Sequence, residues 1–93
     1  MARFTRDVTI VGGCGRVGLP LGIALADAGL TVALYDLDEA AVDQVRAAKM
    51  PFLERGAQEP LERLVGGGRL VATTEARAVG AAENVIIVVG TPV

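Results

Sequence analysis

The sequence predicts an α/β fold, a doubly wound parallel sheet of four strands in the order 3-2-1-4. Three observations carry that expectation. Four short runs rich in Val, Ile and Thr alternate with stretches of helical periodicity. Only 3% of the 93 residues are aromatic although 52% are hydrophobic, so Ala, Val and Leu must fill a core in which helices lie close on strands. Finally, the first strand runs into a glycine-rich turn, Gly13-Cys14-Gly15-Arg16-Val17-Gly18, that opens directly into an apolar helix.

Taken in order, the first strand is expected over about Asp7–Val11. The helix after the turn is expected from about Arg16 to Ala28, with Val17, Leu21, Ala24, Leu25 and Ala28 as its apolar face. Pro20 then falls near the first turn, where a missing N–H costs little, and Gly29 serves as the C-terminal cap. Thr31–Tyr35 reads as the second strand, ending at Asp36, which makes a βαβ unit with a right-handed crossover. Asp38 is placed to cap a helix from Glu39 to about Lys49 whose inner face is Ala41, Val42, Val45 and Ala48. Pro51–Gly56 is an irregular link, followed by a short helix over about Ala57–Val65 that Gly66-Gly67-Gly68 ends. Leu70–Thr73 is the third strand, and Thr74 is expected to cap a short helix through about Ala82. Val85–Val89 is the fourth strand, and its continuous apolarity predicts cover on both faces. In this topology a fourth strand is ordinarily interior. A bare Val/Ile-rich edge here predicts that residues 1–93 are part of a larger domain, or that a partner, such as a second copy, covers the edge.

Composition narrows the function classes. A net charge of −2 without a basic block argues against a nucleic-acid surface. The longest apolar run, Val85–Val89, is far too short to span a membrane, and the N-terminus has no signal-peptide apolar region, so a cytoplasmic location is expected. A single cysteine excludes an internal disulfide and a cysteine-based metal cluster. The absence of histidine removes the usual general base and zinc ligand, and no metal site is expected.

Gly13, Gly15 and Gly18 have the spacing G-x-G-x-x-G of a Rossmann-like dinucleotide fold. The first glycine permits the tight turn, the second lets a pyrophosphate approach the backbone, and the third lets the helix pack closely. Free N–H groups at the helix start, with the positive end of its dipole, would hold the phosphates. Asp36 at the end of the second strand gives the loop its meaning, because an acid there accepts hydrogen bonds from the adenosine ribose hydroxyls. That carboxylate repels a 2′-phosphate, and neither Leu37 nor Asp38 supplies a compensating cation, so NAD is expected over NADP. Cys14 reads as a small residue in a tight turn, at a helix start that could lower its pKa without making it catalytic.

At these residues the chain resembles the UDP-glucose/GDP-mannose dehydrogenase family. Gly13-Cys14-Gly15-Arg16-Val17-Gly18-Leu19-Pro20 is similar to the family's G-x-G-x-[VI]-G-L-P opening. The likeness continues through Tyr35-Asp36-Leu37-Asp38, Pro51-Phe52-Leu53-Glu54-x-Gly56 and Val88-Val89-Gly90-Thr91-Pro92, in family order and spacing. The proline link looks most similar to the branch that oxidises UDP-N-acetyl-mannosamine.

The resemblance implies a nucleotide-sugar 6-dehydrogenase, which oxidises the sugar C6 hydroxymethyl to a carboxylate with two NAD, a step that feeds polysaccharide biosynthesis. It implies a cysteine nucleophile assisted by lysine, asparagine and aspartate, all downstream of the NAD domain. No catalytic residue is therefore expected in residues 1–93, and the UDP-sugar would bind through a C-terminal part. It further implies that Gly13, Cys14, Gly15, Arg16, Val17 and Gly18 line the pyrophosphate, Asp36 the ribose, and Val89, Gly90, Thr91 and Pro92 the nicotinamide side. Glu54 would help order the cofactor loop, or stand as a solvated turn carboxylate.

The chain departs from the family at Gly12 for an apolar strand residue, Arg16 for an aromatic or apolar one, and Ala41 for a basic one. Arg55 breaks an E-P-G run, and Asn84 stands in an unusual setting. A non-catalytic NAD-binding or redox-sensing module remains an alternative. So does another NAD oxidoreductase of the 6-phosphogluconate and hydroxyacid dehydrogenase group.

Overall fold

The computed structural model describes residues 4–88. In chain order it contains β1 (Arg6–Val11), α1 (Gly18–Asp27), β2 (Val32–Tyr35), α2 (Glu39–Arg46), α3 (Gln58–Gly66), β3 (Leu70–Thr73), α4 (Arg77–Gly80) and β4 (Ala82–Ile87). The strands form one parallel sheet in the order β3-β2-β1-β4, as the alternation predicts. Val8 pairs with Val32 and Val32 with Leu70, while Ile10 pairs with Leu34 and Leu34 with Ala72. Because strand side chains alternate, these six lie on one face of the sheet. They join Leu19, Ile23 and Ala26 of α1, Val42 and Val45 of α2, and Leu61 and Leu64 of α3 in a single buried cluster. Each such Leu, Ile or Val contributes about 1.5–3 kcal/mol of burial.

The other face carries Thr9, fully buried, whose Oγ1 donates to the Ala78 carbonyl of α4 at 2.7 Å. At the amino ends of the strands Asp7 locks β1 to β2. Its Oδ2 accepts from Thr31 N at 2.8 Å and from Thr31 Oγ1 at 3.1 Å, while its own N–H donates to Thr31 Oγ1 at 3.0 Å. Asn84 joins β4 to this corner by donating Nδ2 to the Asp7 carbonyl.

Three sequence expectations need correction. The α1 helix begins at Gly18 rather than Arg16, and its buried residues are Gly18, Leu19, Gly22, Ile23 and Ala26. Of the expected face, Val17 is 66% exposed and Ala24 and Ala28 face outward, while Leu21 and Leu25 sit half-buried at the margin. This helix is apolar nearly all round, so the spacing of large side chains does not mark its contact stripe. Its glycines do: a Cβ at Gly22 would lie 2.6 Å from Leu34 Cδ2.

Next, α2 stops at Arg46, with Asp38 accepting from Ala41 N as the expected cap. Ala48 lies beyond the helix at φ 60°, so it is not part of the inner face. The N–H of Ala48 donates to Val45 O and that of Lys49 to Gln44 O, a Schellman closure. The same pair of bonds ends α1 around Gly29 and α3 around Gly68, where glycine takes the left-handed position without strain. Ala48→Gly is therefore expected to stabilise the domain by about 0.5–1 kcal/mol, the strain relieved outweighing the added unfolded-state entropy. Urea denaturation with an unchanged m-value checks it.

The third correction concerns the chain after β3. Thr74 caps nothing, since α4 is a single turn preceded by Ala76 without a side-chain cap, and Thr73 Oγ1 instead accepts from Glu75 N. Ala82 belongs to β4, paired with Arg6 of β1. Consequently β4 is shifted toward the N-terminus relative to the expected Val85–Val89, and Val89 lies outside the described residues. Its outward face is open, with Val85 42% and Ile87 68% exposed. The expected cover on both faces of β4 is not present among the described residues.

Candidate functional site

The carboxyl ends of β1 and β2 converge on the glycine turn, and the turn divides into two halves with different hydrogen bonding. In the first half every backbone N–H is engaged. Gly12 and Gly13 both donate to the Tyr35 carbonyl, at 2.9 and 3.1 Å, and Gly15 donates to Gly12 O. Cys14 N donates to Asp36 Oδ2 at 3.0 Å. In the second half, among the described residues, no hydrogen bond engages the N–H of Arg16, Val17 or Gly18. These are the donors at the start of α1, which has neither a side-chain cap nor an acidic residue in its first turn. By contrast, α2 has both, in Asp38 and Glu39. An uncapped, carboxylate-free helix start is where an anion is stabilised most.

Space in the turn follows a different division. Gly12, at φ 81°, makes the turn, and a Cβ there would come 2.6 Å from the Val88 carbonyl oxygen. Gly12 is thus a required turn residue, although it stands where the family has an apolar strand residue. A Cβ at Gly13 would lie 2.7 Å from Leu34 Cα, and one at Gly18 would fall on the Gly12 carbonyl oxygen and 2.9 Å from Gly13 Cα. At Gly15 the nearest atom is 3.5 Å away, so a Cβ there would meet open space.

Asp36 ties these parts together. Its Oδ2 holds Cys14 N and its Oδ1 holds Asp38 N at 3.0 Å, so one carboxylate fixes both the glycine turn and the start of α2. A carboxylate has about four lone-pair sites, and two remain for a ligand's hydroxyl groups. Beside it is a cleft of about 220 Å³ lined by Val11, Gly12, Tyr35, Asp36, Leu37 and Val88. Sequence reading did not assign Tyr35, Leu37, Val11 or Val88 to the cleft itself. The exposed Leu37, directly after the acid, is the signal that could have found it.

The remaining expected residues are distributed as follows. Arg16 is exposed and its guanidinium carbon lies 5.2 Å from the centroid of Phe52, a contact not foreseen from the sequence. Glu54 and Arg55 are exposed on the link. Ala41 is buried in the core, so it adds no contact to the cleft. Val89, Gly90, Thr91 and Pro92 lie outside the described residues.

Residues 6–93 match the model of the UDP-glucose/GDP-mannose dehydrogenase family, NAD binding domain. The chain belongs to that family. A UDP-glucose 6-dehydrogenase of Rhizobium meliloti is 36% identical over 86 residues, covering 91% of this chain and 20% of the relative. Among solved structures, a ternary complex of GDP-mannose dehydrogenase from Pseudomonas aeruginosa superposes with a TM-score of 0.87 at 31% identity, covering 92% of this chain and 20% of the other. A UDP-glucose dehydrogenase from Pyrobaculum islandicum superposes with a TM-score of 0.86 at 32% identity, covering 98% and 21%. The chain thus spans about one fifth of the length of the relatives it matches. As this family's NAD binding domain, it has NAD as its cofactor.

In this UDP-glucose/GDP-mannose dehydrogenase family domain the cysteine of the turn is chemically quiet. The Cys14 side chain is only 3% exposed. Burial, then the nearby carboxylates of Asp36 and Asp38, push its thiol up to about 12, opposite to the lowering that a helix start alone would give. Cys14 is accordingly expected to resist thiol-disulfide reagents at pH 8 until the domain is denatured, and rapid labelling of the folded chain would contradict this. The unfolded thiol ionises before the folded one, so stability falls as pH rises from about 9 toward 12.

Proposed function

We propose that this chain supplies the NAD-binding portion of a nucleotide-sugar 6-dehydrogenase, one that oxidises the C6 hydroxymethyl of a UDP-sugar to the uronate. The observation that carries the reading is the open set of N–H donors at Arg16, Val17 and Gly18, set across the turn from Asp36. In this reading those donors bind the pyrophosphate of NAD, with Gly15 giving backbone clearance and Gly13 and Cys14 shaping the turn beneath. Asp36 accepts from the adenosine ribose hydroxyls, and its charge disfavours a 2′-phosphate. Val89, Gly90, Thr91 and Pro92 are assigned to the nicotinamide side. When bound, NAD supplies the hydride acceptor, and each hydroxymethyl carried to a carboxylate delivers two hydrides to two NAD.

The length of the relatives supports reading residues 1–93 as part of a longer enzyme, with the nucleophile and the sugar site in the remainder. No helix among the described residues is long and apolar enough to cross a membrane. A cytoplasmic enzyme of polysaccharide biosynthesis, without nucleic-acid or membrane partners, fits this reading. The open edge of β4 is the surface by which copies would associate, if it is not covered within the longer chain.

Calorimetric titration with NAD and NADP tests the cofactor assignment, with NAD expected to bind weakly and NADP more weakly still. Equal or tighter binding of NADP would overturn it. The 93-residue chain is expected to form no NADH from a UDP-sugar; turnover would place catalytic groups within it.

A further inference from the structure

The arginine of the phosphate turn has a different setting from most other described arginines. Arg6, Arg46 and Arg69 each donate to a backbone carbonyl, and Arg63 and Arg77 each meet a carboxylate. Arg16 meets no protein oxygen among the described residues; it lies over the Phe52 ring instead. A guanidinium stacked on a ring keeps its in-plane N–H donors uncommitted while its position is restricted. It also directly follows Gly15, the one glycine of the motif with open space beside it, and adjoins the unengaged N–H groups of Val17 and Gly18.

Phe52 is itself held. Its ring packs against the core, and Pro51 precedes it in the link. Gln58 at the start of α3 clamps the link's entrance, with Nε2 donating to Ala48 O at 2.7 Å and Oε1 accepting from Met50 N at 3.0 Å. The link between α2 and α3 therefore presents a fixed ring to the phosphate turn.

We propose that Phe52 is a positioning residue whose ring holds the Arg16 guanidinium at the mouth of the turn, where the cation meets the dinucleotide pyrophosphate. The inference rests on the nucleotide reading above and adds to it a side-chain cation held by the α2–α3 link. Arg16 supplies fixed positive charge beside the helix start. Phe52 touches no ligand and acts only through Arg16.

The test uses ADP-ribose, which carries the pyrophosphate, and adenosine, which does not, titrated into the 93-residue chain and its variants. Arg16→Ala is expected to weaken ADP-ribose binding about tenfold and Phe52→Leu about three- to fivefold, with adenosine affinity unchanged in both. Phe52→Tyr restores the parent affinity. In an Arg16→Ala background, Phe52→Leu produces no further loss, and the salt dependence of ADP-ribose binding is shallower in both single variants. In the free chain the Arg16 side-chain protons shift upfield under the ring, and Phe52→Leu abolishes that shift. Equal losses for adenosine and ADP-ribose, additive losses in the double variant, or no upfield shift would overturn the positioning role while leaving the nucleotide site intact. Failure of the parent chain to bind either ligand would instead overturn the nucleotide reading and this inference with it.

Discussion

Gly18→Ala is expected to destabilise the domain by about 2–3 kcal/mol and to remove measurable NAD binding, the cost of forcing extra atoms into a closed contact. The added Cβ would fall on the Gly12 carbonyl oxygen and lie 2.9 Å from Gly13 Cα. Both are backbone atoms, so no rotamer change relieves the overlap. Either α1 moves away from the turn or the turn opens, and each movement displaces the N–H donors of Arg16, Val17 and Gly18. Gly15→Ala separates the two effects. Its Cβ meets nothing closer than 3.5 Å, so stability should stay within about 0.5 kcal/mol of the parent. Yet in the nucleotide reading the methyl group takes the clearance a pyrophosphate needs to approach the backbone, and NAD affinity should fall at least tenfold. Urea denaturation and calorimetry on both variants check the pair. A Gly18→Ala domain as stable as the parent would contradict the packing argument, and a Gly15→Ala domain with full affinity would contradict the site.

The second large effect is expected at Asp36, where one substitution touches both ligand and fold. Asp36→Ala removes the acceptor for Cys14 N and Asp38 N together with the proposed acceptor for the ribose hydroxyls. Hydrogen bonds to a charged group are worth about 1.5–3 kcal/mol, so NAD affinity should drop roughly tenfold or more. Stability should fall by about 1–2 kcal/mol, because the part-buried Cys14 N–H is left without its partner. The NAD-to-NADP preference should narrow as the charge that opposes a 2′-phosphate disappears. Asp36→Asn keeps an acceptor of nearly the same shape without the charge. With its one oxygen on the part-buried Cys14 N–H and its NH2 facing the exposed Asp38 N–H, it should recover only part of the stability while retaining the narrowed preference. A preference ratio that does not move in either variant would show that Asp36 does not face the ribose.

Much of the candidate site's arrangement was legible because its residues belong to short motifs. The turn glycines, the Asp36 that follows β2 and the Asp38 cap each sit at a fixed offset from the strand or helix they adjoin, so spacing alone locates them in the chain. Strand order followed from four apolar runs and three crossovers whose hand is set by chain chirality. What spacing did not reveal was the division of labour within the turn. Gly13 and Cys14 belong to the same motif as Val17 and Gly18, yet their N–H groups are spent on Tyr35 and Asp36. Nor could spacing foresee Phe52 beneath Arg16, since the two are brought together only when the α2–α3 link folds back over the turn.

By itself, then, the sequence determined the parallel 3-2-1-4 sheet, the family with its NAD cofactor, and the positions of the glycine turn and of Asp36 at the end of β2. These depend on turn geometry, side-chain alternation and short-range capping, which neighbouring residues decide among themselves. Tertiary structure alone decided that α1 packs through Gly18, Leu19, Gly22, Ile23 and Ala26 rather than through Leu21 and Leu25 at its margin. It also turned Cys14 inward and made Asp36 a strut as well as a candidate ribose acceptor. The reason is that a helix apolar on all sides takes its contact face from the surface it meets. Likewise, a buried thiol takes its acidity from the groups packed around it, here the core and two carboxylates.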